Sequence, residues 1–557
     1  MPTTVWGIDL GTTYSCIAHV DEIGRPVVVN NRDGDPTTPS VVLFAGSEDF
    51  AVGKEAKRQA QLDPDNVCEL VKRHMGDPEW RFRAHGKEWT AAAVSGIILK
   101  SLAADAELQT GQTVSDVVIT VPAYFGDLHR QATRAAGKIA GLNVVDIINE
   151  PTAAAFSYGF AQDGDVEETV LVYDLGGGTF DVTVIRLAGA DIRVIVTDGD
   201  HLLGGANWDE RLVREIAEKF MQANPAASDP LDDEYGAADL KARAEDIKRA
   251  LTVRDSVSEM LVAGTTRASV EVTREEFETF TRDLLEQTVS LTRSAVSEAA
   301  QEGFGTIDRV LLVGGSSFMP AVARRLSEEF GWTPELEDPN QSVAKGAALA
   351  GQRAELRSRI DEKLEETGKS MSTASPEEIE AAVVTIAPEA GLDTQTALTL
   401  ATTNIVNVCS RGFGVKLLKY GHQPSEEDQD KDSYIDHLVK RNDRLPLDPP
   451  RTMEVYTVVP NQREVRLELW EQGGSDISER VEDNKFLIAG PITLPGDDPV
   501  HTAMDLVFEM GSDGLVTVTL THPRVPNPLK LVKETGGVMS EAEIAETQQV
   551  VAALSRR

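Results

Sequence analysis

Residues 1 to about 350 alternate between short runs of β-branched apolar residues and stretches in which apolar positions recur with helical spacing. The predicted strands are Val5–Leu10, Val27–Val29, Val117–Val121, Val170–Asp174, Val182–Arg186 and Val310–Val313. The predicted helices are Asp127–Ala140, Asp209–Gln222, Ala237–Leu251 and Arg274–Ala300. Short apolar strands separated by amphipathic helices are typical of an α/β fold, and we expect one here.

The pattern changes to charged and small residues between positions 353 and 403. Glu355–Glu366 predicts a charged helix, Ser370–Ser375 a break, and Glu377–Val384 a second short helix. Stretches of this kind usually connect domains or lie on a surface. We therefore expect residues 353–403 to be a helical linker or insert.

From residue 404 to 538 apolar and polar residues alternate with a period of two, which is the pattern of half-buried strands. Val465–Leu469 alternates in this way, and two further runs flank a turn at Asp513–Gly514, as in a β-hairpin. We therefore expect an antiparallel β-sandwich. Ser540–Glu543 is a capping box that begins one last helix, a stub within 539–557 that is predicted to run to the C-terminus.

The composition limits the partners and the compartment. The 557 residues include 54 Lys and Arg against 91 Asp and Glu, a formal net charge of −37. Nucleic acids and anionic membranes are polyanions, so we expect neither as the main partner. Three cysteines without a CxxC pair exclude a disulfide scaffold. No signal segment and no membrane-spanning run is recognised, so a cytoplasmic location is expected.

One segment occurs twice and carries the strongest chemical signal. Val5–Thr13 and Val170–Thr179 each contain a strand that ends in aspartate, followed by a small-residue turn and another strand. Glycines let backbone N–H groups approach an oxyanion, threonine hydroxyls add donors, and an aspartate at the strand end can hold hydrated Mg²⁺. Two such loops in a duplicated α/β unit could clamp a triphosphate, and Gly314–Ser316 is a third glycine turn.

Several motifs resemble those of the 70-kDa heat shock chaperone family, whose nucleotide domain shares the fold of actin and sugar kinases. They are Ile8–Cys16, Val121–Phe125, Asn149–Ala155, Asp174–Asp181 and Leu203–Gly205. The resemblance implies that residues 1–352 form a two-lobed, actin-like ATPase domain of duplicated ribonuclease H-like units. It also implies an ATP-dependent chaperone, in which hydrolysis is coupled to binding and release of polypeptide by the β domain.

The resemblance further implies roles for individual residues. The expected catalytic residues are Lys72, Glu150, Asp174, Thr179 and Asp181. The residues expected to bind ATP or ADP are Asp9, Gly11, Thr12, Thr13, Tyr14, Gly176, Gly177, Gly178, Thr179, Gly204, Gly205, Glu245, Lys248, Arg249, Thr252, Gly314, Gly315, Ser316 and Phe318. Asp9 and Asp174 match the carboxylates that hold hydrated Mg²⁺ and K⁺. Pro122 and Arg130 match a switch pair that relays the nucleotide state between domains.

In the β region the resemblance is looser and concerns a peptide groove. The positions that align with the groove are Val415, Leu418, Tyr456, Val459, Val465 and Leu467. Such a groove takes an extended apolar segment by backbone hydrogen bonds and side-chain pockets. Each position could equally belong to the core of a sandwich, and both alternatives stay open. The implied partners are unfolded or extended polypeptides and a nucleotide-exchange factor.

The chain departs from the family pattern at several positions. Phe318 stands where the family has an arginine beside adenine, and Asn340 replaces an aspartate near the same pocket. Asp146 replaces a basic residue where J-domain co-chaperones are expected to dock, and it should repel their acidic contact. The altered linker at Asn407 also argues against a J-domain partner. One helix follows the β region in place of a helical lid, so peptide release is expected to be fast.

Three classes of function compete. The first is a chaperone ATPase that serves many clients. The alternative is a regulatory or scaffold ATPase of the same fold that holds one specific partner, which Asp146, Asn407 and the 353–403 insert favour. A sugar kinase or an actin-like protein is disfavoured by the appended β region and by Asn149–Ala155.

Overall fold

The computed structural model describes residues 4–161, 167–189, 191–232, 234–336, 338–419, 432–474, 477–511, 514, 516–532 and 539–557. These residues form two compact units. The first unit extends to Ile405 and also includes Glu541–Arg557, and the second unit is Val406–Ser540. Residues 353–403 and the C-terminal helix, which the sequence pattern set apart, therefore group with the first unit.

The first unit begins with a mixed sheet and the helices that pack on it. The elements in chain order are β1 (Val5–Asp9), β2 (Tyr14–Val20), β3 (Pro26–Val28), β4 (Thr38–Pro39), β5 (Val42–Phe44), β6 (Asp49–Val52), α1 (Lys54–Gln59), β7 (Val67–Cys68), β8 (Phe82–Ala84), β9 (Lys87–Trp89), α2 (Ala91–Thr110), β10 (Asp116–Val121), α3 (Asp127–Ile139), β11 (Asn143–Asn149) and α4 (Glu150–Phe160). The main sheet has the order β11-β10-β1-β2-β3, and a smaller sheet contains β6-β5-β7.

A second mixed sheet follows in the same unit. Its elements are β12 (Glu167–Leu175), β13 (Phe180–Ala188), β14 (Asp191–Asp200), α5 (Gly205–Ala223), α6 (Glu234–Leu251), β15 (Ser256–Ala263), β16 (Thr266–Thr273), α7 (Arg274–Phe280), α8 (Arg282–Gln301), β17 (Arg309–Val313), α9 (Pro320–Phe330) and β18 (Glu335–Leu336). The sheet contains β18-β17-β12-β13-β14 in that order, and β15 and β16 form a separate hairpin.

The two sheets repeat one arrangement of strands. β1 pairs antiparallel with β2 and parallel with β10, and β12 pairs in the same two ways with β13 and β17. Asp9 lies at the end of β1, and Asp174 lies at the equivalent end of β12. The repeated topology therefore gives both aspartates and both hairpin turns equivalent positions.

α10 (Ser342–Glu365) packs closely on the first sheet. A Cβ on Gly7 of β1 would lie 2.1 Å from the backbone nitrogen of Ala348, and one on Gly346 would lie 1.8 Å from the carbonyl oxygen of Ala153. Only glycine allows backbones to approach this closely. The elements that follow are α11 (Pro376–Ile386), α12 (Thr394–Thr402) and β19 (Asn404–Val406), the last of which extends the second sheet beside β14.

Three helices differ from the sequence prediction. The helix predicted over 274–300 is two helices, because the backbone turns at Thr281 and its hydroxyl donates to the carbonyl oxygen of Phe277 (2.7 Å). The charged helix predicted over 355–366 is the second half of α10. The first half of α10 is buried almost throughout and has no polar face that would reveal a helical period. α12 lies where no helix was predicted.

The second unit contains two four-stranded sheets packed around an apolar core. Its strands are β20 (Phe413–Leu418), β21 (Ser433–Val439), β22 (Arg451–Tyr456), β23 (Glu464–Gln472), β24 (Asn484–Thr493), β25 (Ala503–Met510), β26 (Val516–Thr521) and β27 (Leu529–Val532). The sheet orders are β21-β20-β23-β24 and β22-β25-β26-β27, and neighbouring strands run antiparallel. The pairing of β25 with β26 confirms the predicted hairpin strands, although Asp513 of the turn lies outside the described residues.

The chain then returns to the first unit. α13 (Glu541–Ala553) packs on α2 and α3, and β28 (Ser555–Arg556) pairs parallel with β6. The prediction that the last helix runs to the C-terminus is therefore wrong at its end. The helix stops because the extended backbone at Ser555 forms inter-strand hydrogen bonds with β6 instead of helical ones.

Candidate functional site

The two predicted loops face each other within the first unit. A Cβ on Gly177 would lie 2.1 Å from Thr13 Oγ1, and a Cβ on Gly178 would lie 2.2 Å from Thr12 Cγ2. Segments that are far apart in the sequence therefore meet with little space between their backbones. Two glycine–threonine loops on either side of one narrow space suit a chain of phosphates.

Neighbouring residues hold the second loop in shape. The carbonyl oxygen of Gly176 accepts hydrogen bonds from Ser316 Oγ (2.9 Å) and from the N–H of Gly205 (3.0 Å). The carbonyl oxygen of Gly178 accepts one from Arg73 Nε (3.0 Å). The predicted glycine turns at 176–178, 204–205 and 314–316 thus form one connected structure.

Three more predicted glycines lie where a side chain does not fit. A Cβ on Gly204 would lie 2.5 Å from the backbone of the second loop, and one on Gly11 would lie 2.0 Å from the carbonyl oxygen of Tyr14. Gly314 has φ +81°, and a Cβ there would lie 2.4 Å from Asp174 Oδ1. Close packing therefore requires glycine at all three positions, and at Gly314 the backbone conformation requires it as well.

Four acidic side chains and one lysine are packed beside the loops. Lys72 forms an ion pair with Glu150, and both side chains are nearly excluded from solvent. Burial raises the pKa of Asp9 to about 7; the Glu150 carboxylate adds to this rise and Lys72 opposes it. Burial, followed by repulsion from Glu150, also raises the pKa of Asp174 and of Asp181 well above the usual range.

This cluster fits a cation. Asp181 Oδ1 accepts a hydrogen bond from the N–H of Ala123 (3.2 Å), whereas its buried Oδ2 has no hydrogen-bond partner among the described residues. Magnesium prefers oxygen ligands and would offset the excess of carboxylates over Lys72. Within the described part of the chain, no three acidic, histidine or cysteine side chains converge on a point where they could bind an ion directly. The carboxylate oxygens of the cluster, which include Asp181 Oδ2, are the ligand type that suits Mg²⁺.

An open cleft continues from the loops. Its lining residues are Thr13, Tyr14, Thr37, Gly177, Asp209, Glu245, Lys248, Arg249, Thr252, Gly315, Ser316, Phe318 and Asn340. Lys248 Nζ donates to the carbonyl oxygen of Gly205 (3.0 Å) and to Asp209 Oδ2 (2.8 Å), which connects the cleft wall to a glycine turn. Phe318 is 41% exposed, so its ring is free to stack on a planar base.

Sequence reasoning missed Lys57 of α1. Its Nζ donates to Glu245 Oε2 (2.6 Å) and to Tyr14 OH (3.0 Å), to which Arg249 also donates (2.9 Å). Burial disfavours both charges of the pair, but their attraction prevails, so the pKa of Lys57 is raised and that of Glu245 is lowered. No motif surrounds Lys57, and only the topology, which brings α1 to α6, reveals it.

Of the predicted switch residues, Pro122 directly follows β10 and Arg130 lies in the first turn of α3. Arg130 donates hydrogen bonds to the side chain of Asn149 and to the carbonyl oxygen of Phe125 (3.2 Å). The N–H of Phe125 donates to the carbonyl oxygen of Pro122 (3.1 Å). Asn149 directly precedes Glu150, the partner of Lys72. A continuous set of contacts thus connects the turn at Pro122 with the acidic cluster.

The six predicted groove positions of the second unit differ in exposure. Val415 and Leu467 are buried in the sandwich core, which agrees with the core alternative. Tyr456 is 47% exposed, and its hydroxyl donates to the carboxylate of Glu454 (2.8 Å). The half-buried positions are Leu418, Val459 and Val465. Two of the six predicted groove positions therefore lie in the core of the sandwich.

The two positions that argue against a J-domain partner are both ordered. Asp146 lies half-buried on β11, and its carboxylate accepts a hydrogen bond from the N–H of Ile147 (2.8 Å). Asn407 follows β19, and its carbonyl oxygen accepts a bond from the N–H of Leu445 (2.9 Å).

Among the helices that the structure describes, none has the length and apolar character needed to span a bilayer.

A repeated α/β topology, two facing glycine–threonine loops and an acidic cluster with one lysine are the features expected of a two-lobed ATPase domain. The family model described as Hsp70 protein matches residues 5–81 and 77–362, which together exceed half of the chain. The protein therefore belongs to the Hsp70 family. Members of this family are ATP-dependent chaperones that have an actin-like ATPase domain and a β-sandwich, use ATP with Mg²⁺ and bind unfolded polypeptides.

Proposed function

We propose that the first unit of this chain hydrolyses ATP to ADP and phosphate and that the β-sandwich binds and releases extended polypeptide in response. The observation that carries the proposal is the approach of Gly177 and Gly178 to Thr13 and Thr12 beside the buried cluster around Lys72. One loop by itself would contact a triphosphate from one side only, whereas the two loops together could contact it from both sides. Family membership supports the same activity.

Within this proposal the acidic cluster prepares the attack of water on the γ-phosphate. Asp9 and Asp174 would hold the hydrated Mg²⁺, and K⁺ would occupy the same acidic surroundings. The bound cations supply charge neutralisation at the phosphates. Lys72, which forms an ion pair with Glu150, is in place to stabilise negative charge near the attacking water, and Asp181 adds an acceptor for that water. Catalysis by such residues is mostly positioning and charge stabilisation.

The remaining cleft residues are assigned to the nucleotide and to signalling. Thr179 and the glycines of both loops cradle the phosphates, and Phe318 stacks on the base. The residues proposed to hold the adenosine are Glu245, Lys248, Arg249 and Thr252. Pro122 and Arg130 relay the nucleotide state through Asn149, which lies beside the Lys72 partner. A nucleotide-exchange factor would act by opening the cleft.

Hydrolysis by variant proteins tests the assignment. Asp174→Asn and Lys72→Ala should abolish ATP turnover under single-turnover conditions, whereas Lys219→Ala, which removes an ion pair with Glu276 inside one half of the unit, should leave turnover unchanged. Binding of a fluorescent peptide with and without ATP then tests the coupling to the sandwich. If both site variants hydrolyse ATP at the normal rate, the assignment of the site is wrong.

The burial of Val415 and Leu467 favours a second candidate. A sandwich with few open apolar positions suits one specific protein partner better than many unfolded clients, as in a regulatory or scaffold ATPase of the same fold. Capture of partners from native lysate by the full chain separates the candidates. Many captured proteins that are released by ATP support the general chaperone, and a single stoichiometric partner supports the scaffold.

A further inference from the structure

The C-terminal segment is built into the first unit through its helix. Lys138 of α3 pairs with Glu541 of α13 (2.7 Å), and Ile544 and Val551 are buried. Lys100 of α2 donates to the carbonyl oxygen of Val551 (2.7 Å), near the C-terminal end of α13, where a cation is favourable. The helix is therefore held at both ends by cations of the neighbouring helices.

Arg556 anchors the segment beyond the helix. Its two terminal nitrogens donate to the two carboxylate oxygens of Asp105 (2.8 and 3.0 Å), and one of them also donates to the carbonyl oxygen of Ser101 (3.0 Å). The Asp105 side chain is 2% exposed and also accepts a bond from Arg32 Nε (3.0 Å). The bidentate geometry gives Arg556 a strong, directional contact, and without Arg556 the buried carboxylate would retain Arg32 as its one cationic partner among the described residues.

The backbone of the same segment extends the small sheet of the first unit. The N–H of Ser555 donates to the carbonyl oxygen of Glu48 (2.9 Å), and that of Arg557 donates to the carbonyl oxygen of Phe50 (3.0 Å). β6 leads through Gly53 directly into α1, the helix that carries Lys57. The segment 541–556 thus ties α2 and α3 to the sheet that supports the Lys57 contact.

We propose that residues 541–556 form an intrachain strap that fixes α1 and the β6-β5-β7 sheet against α2 and α3, and thereby slows nucleotide release. The inference rests on the proposed function, because the ligand whose release is slowed is the proposed nucleotide. Arg556 is a positioning residue here, because it is not among the residues that line the cleft and acts through β6 and α1 on the Lys57–Glu245 contact. The chain leaves the first unit after Ile405 and returns to it at Glu541, with the sandwich between these two points. The strap is therefore the segment that follows the sandwich along the chain.

Release of fluorescent ADP from the full chain, followed by stopped flow, tests the strap. Arg556→Ala should speed release by roughly fivefold or more, which is the usual lower range for coupled sites. Arg556→Lys keeps the charge but not the bidentate contact, so its release rate should lie between the rates of the wild type and Arg556→Ala. It takes the place of the alanine variant if that variant does not fold. Arg83→Ala removes an exposed pair with Glu88 in the same half of the unit and should have no effect.

A double variant distinguishes positioning from general loosening. If the strap acts through Lys57, Arg556→Ala should add little to the release rate of a Lys57→Ala protein, whereas additive effects would overturn the proposal. Hydrogen exchange gives an independent view of docking: the amides of Ser555 and Arg557 should be protected in the wild type and exchange faster in Arg556→Ala. Unprotected wild-type amides, or unchanged release in Arg556→Ala, would overturn the strap alone. A wild-type chain that binds no ADP would overturn the proposed function as well.

Discussion

Lys57 Nζ lies 2.6 Å from Glu245 Oε2, and this ion pair joins α1 of the first half of the ATPase unit to α6 of the second half. The Tyr14 hydroxyl donates to Glu245 Oε1 (3.1 Å), and both Lys57 and the guanidinium of Arg249 lie over the Tyr14 ring. Glu245, Tyr14 and Arg249 all line the cleft. The pair therefore connects two walls of the cleft, and in the proposed function a departing nucleotide would have to separate them.

Lys57→Ala should accelerate the release of ADP by roughly tenfold, because truncation of one partner of a partly buried, hydrogen-bonded charge pair acts mainly on the off-rate. The measurement is stopped-flow displacement of fluorescent ADP. Lys219→Ala is the matched control, since its pair with Glu276 (2.7 Å) lies within one half of the unit. Equal release from Lys57→Ala and the wild type would contradict the role of the pair.

The same pair predicts how release depends on pH. Burial alone would raise the pKa of Glu245, but the attraction of Lys57 outweighs it and the net pKa is lowered. A carboxyl with a lowered pKa contributes fully above its ordinary value, about 4.3, and the contribution is lost as the pH falls through the lowered value. The contribution of the pair to ADP release should therefore be constant between about pH 6 and 8, where both of its charges persist, although Asp9, whose pKa is raised to about 7, titrates within the same range. Glu245→Gln should therefore raise the release rate by the same factor across this range, and a factor that changes with pH would argue against the pair.

The two loops could be predicted from the sequence because each carries its own local signal, whereas the chemistry assigned to them stays a prediction. A strand, an aspartate and a small-residue turn are adjacent along the chain, so Asp9 and Asp174 were found without any knowledge of their contacts. Lys57 has no such signal, since its helix reads as an ordinary charged surface helix. Its role depends on the pairing of distant elements, which only the topology provides.

The contacts of the strap could not be predicted from the sequence for the same reason. The capping box at Ser540 predicts a helix, but nothing in the last residues indicates that Arg556 meets Asp105 or that Ser555 pairs with β6. These contacts join residues that are far apart in the sequence, so no local pattern indicates them. The two residues of β28 are also too few to show a strand period. In the sandwich, period-two alternation predicts strands correctly. The alternation does not distinguish a peptide groove from a sandwich core, because the residues on one face of a strand are apolar in both cases.

Lys72→Ala should affect both stability and hydrolysis. Glu150 would remain buried beside other carboxylates without its counter-ion, which should lower the free energy of unfolding by about 3 kcal/mol. Hydrolysis should fall by about 100-fold or more, because a charge aimed at the reacting phosphate is lost. Denaturant unfolding and single-turnover hydrolysis measure the two effects.

The double variant Lys72→Ala with Glu150→Gln separates these effects. Removal of the uncompensated carboxylate should recover part of the unfolding free energy, whereas hydrolysis should stay low. Recovery of both quantities together would mean that Lys72 acts only on stability.

Gly177→Ala should weaken ATP binding by roughly tenfold while the fold is retained, because the new methyl would overlap Thr13 and push the loops apart. Titration with a fluorescent ATP analogue measures the affinity. Gly46→Ala is the matched control, since a Cβ there meets no atom within 4 Å. Wild-type affinity in Gly177→Ala would show that the two loops do not clamp the ligand.

Leu467→Ala and Tyr456→Ala should have opposite signatures in the sandwich. Leu467 is 6% exposed within the core, so its truncation should lower the free energy of unfolding by about 3 kcal/mol through lost packing and a cavity. Tyr456 is exposed, so its truncation should change stability by about 0.5 kcal/mol or less and instead weaken binding of an extended apolar peptide severalfold. Denaturant unfolding and fluorescence anisotropy measure the two quantities. Unchanged peptide affinity in a stable Tyr456→Ala protein would remove Tyr456 from the groove and strengthen the case for a single specific partner.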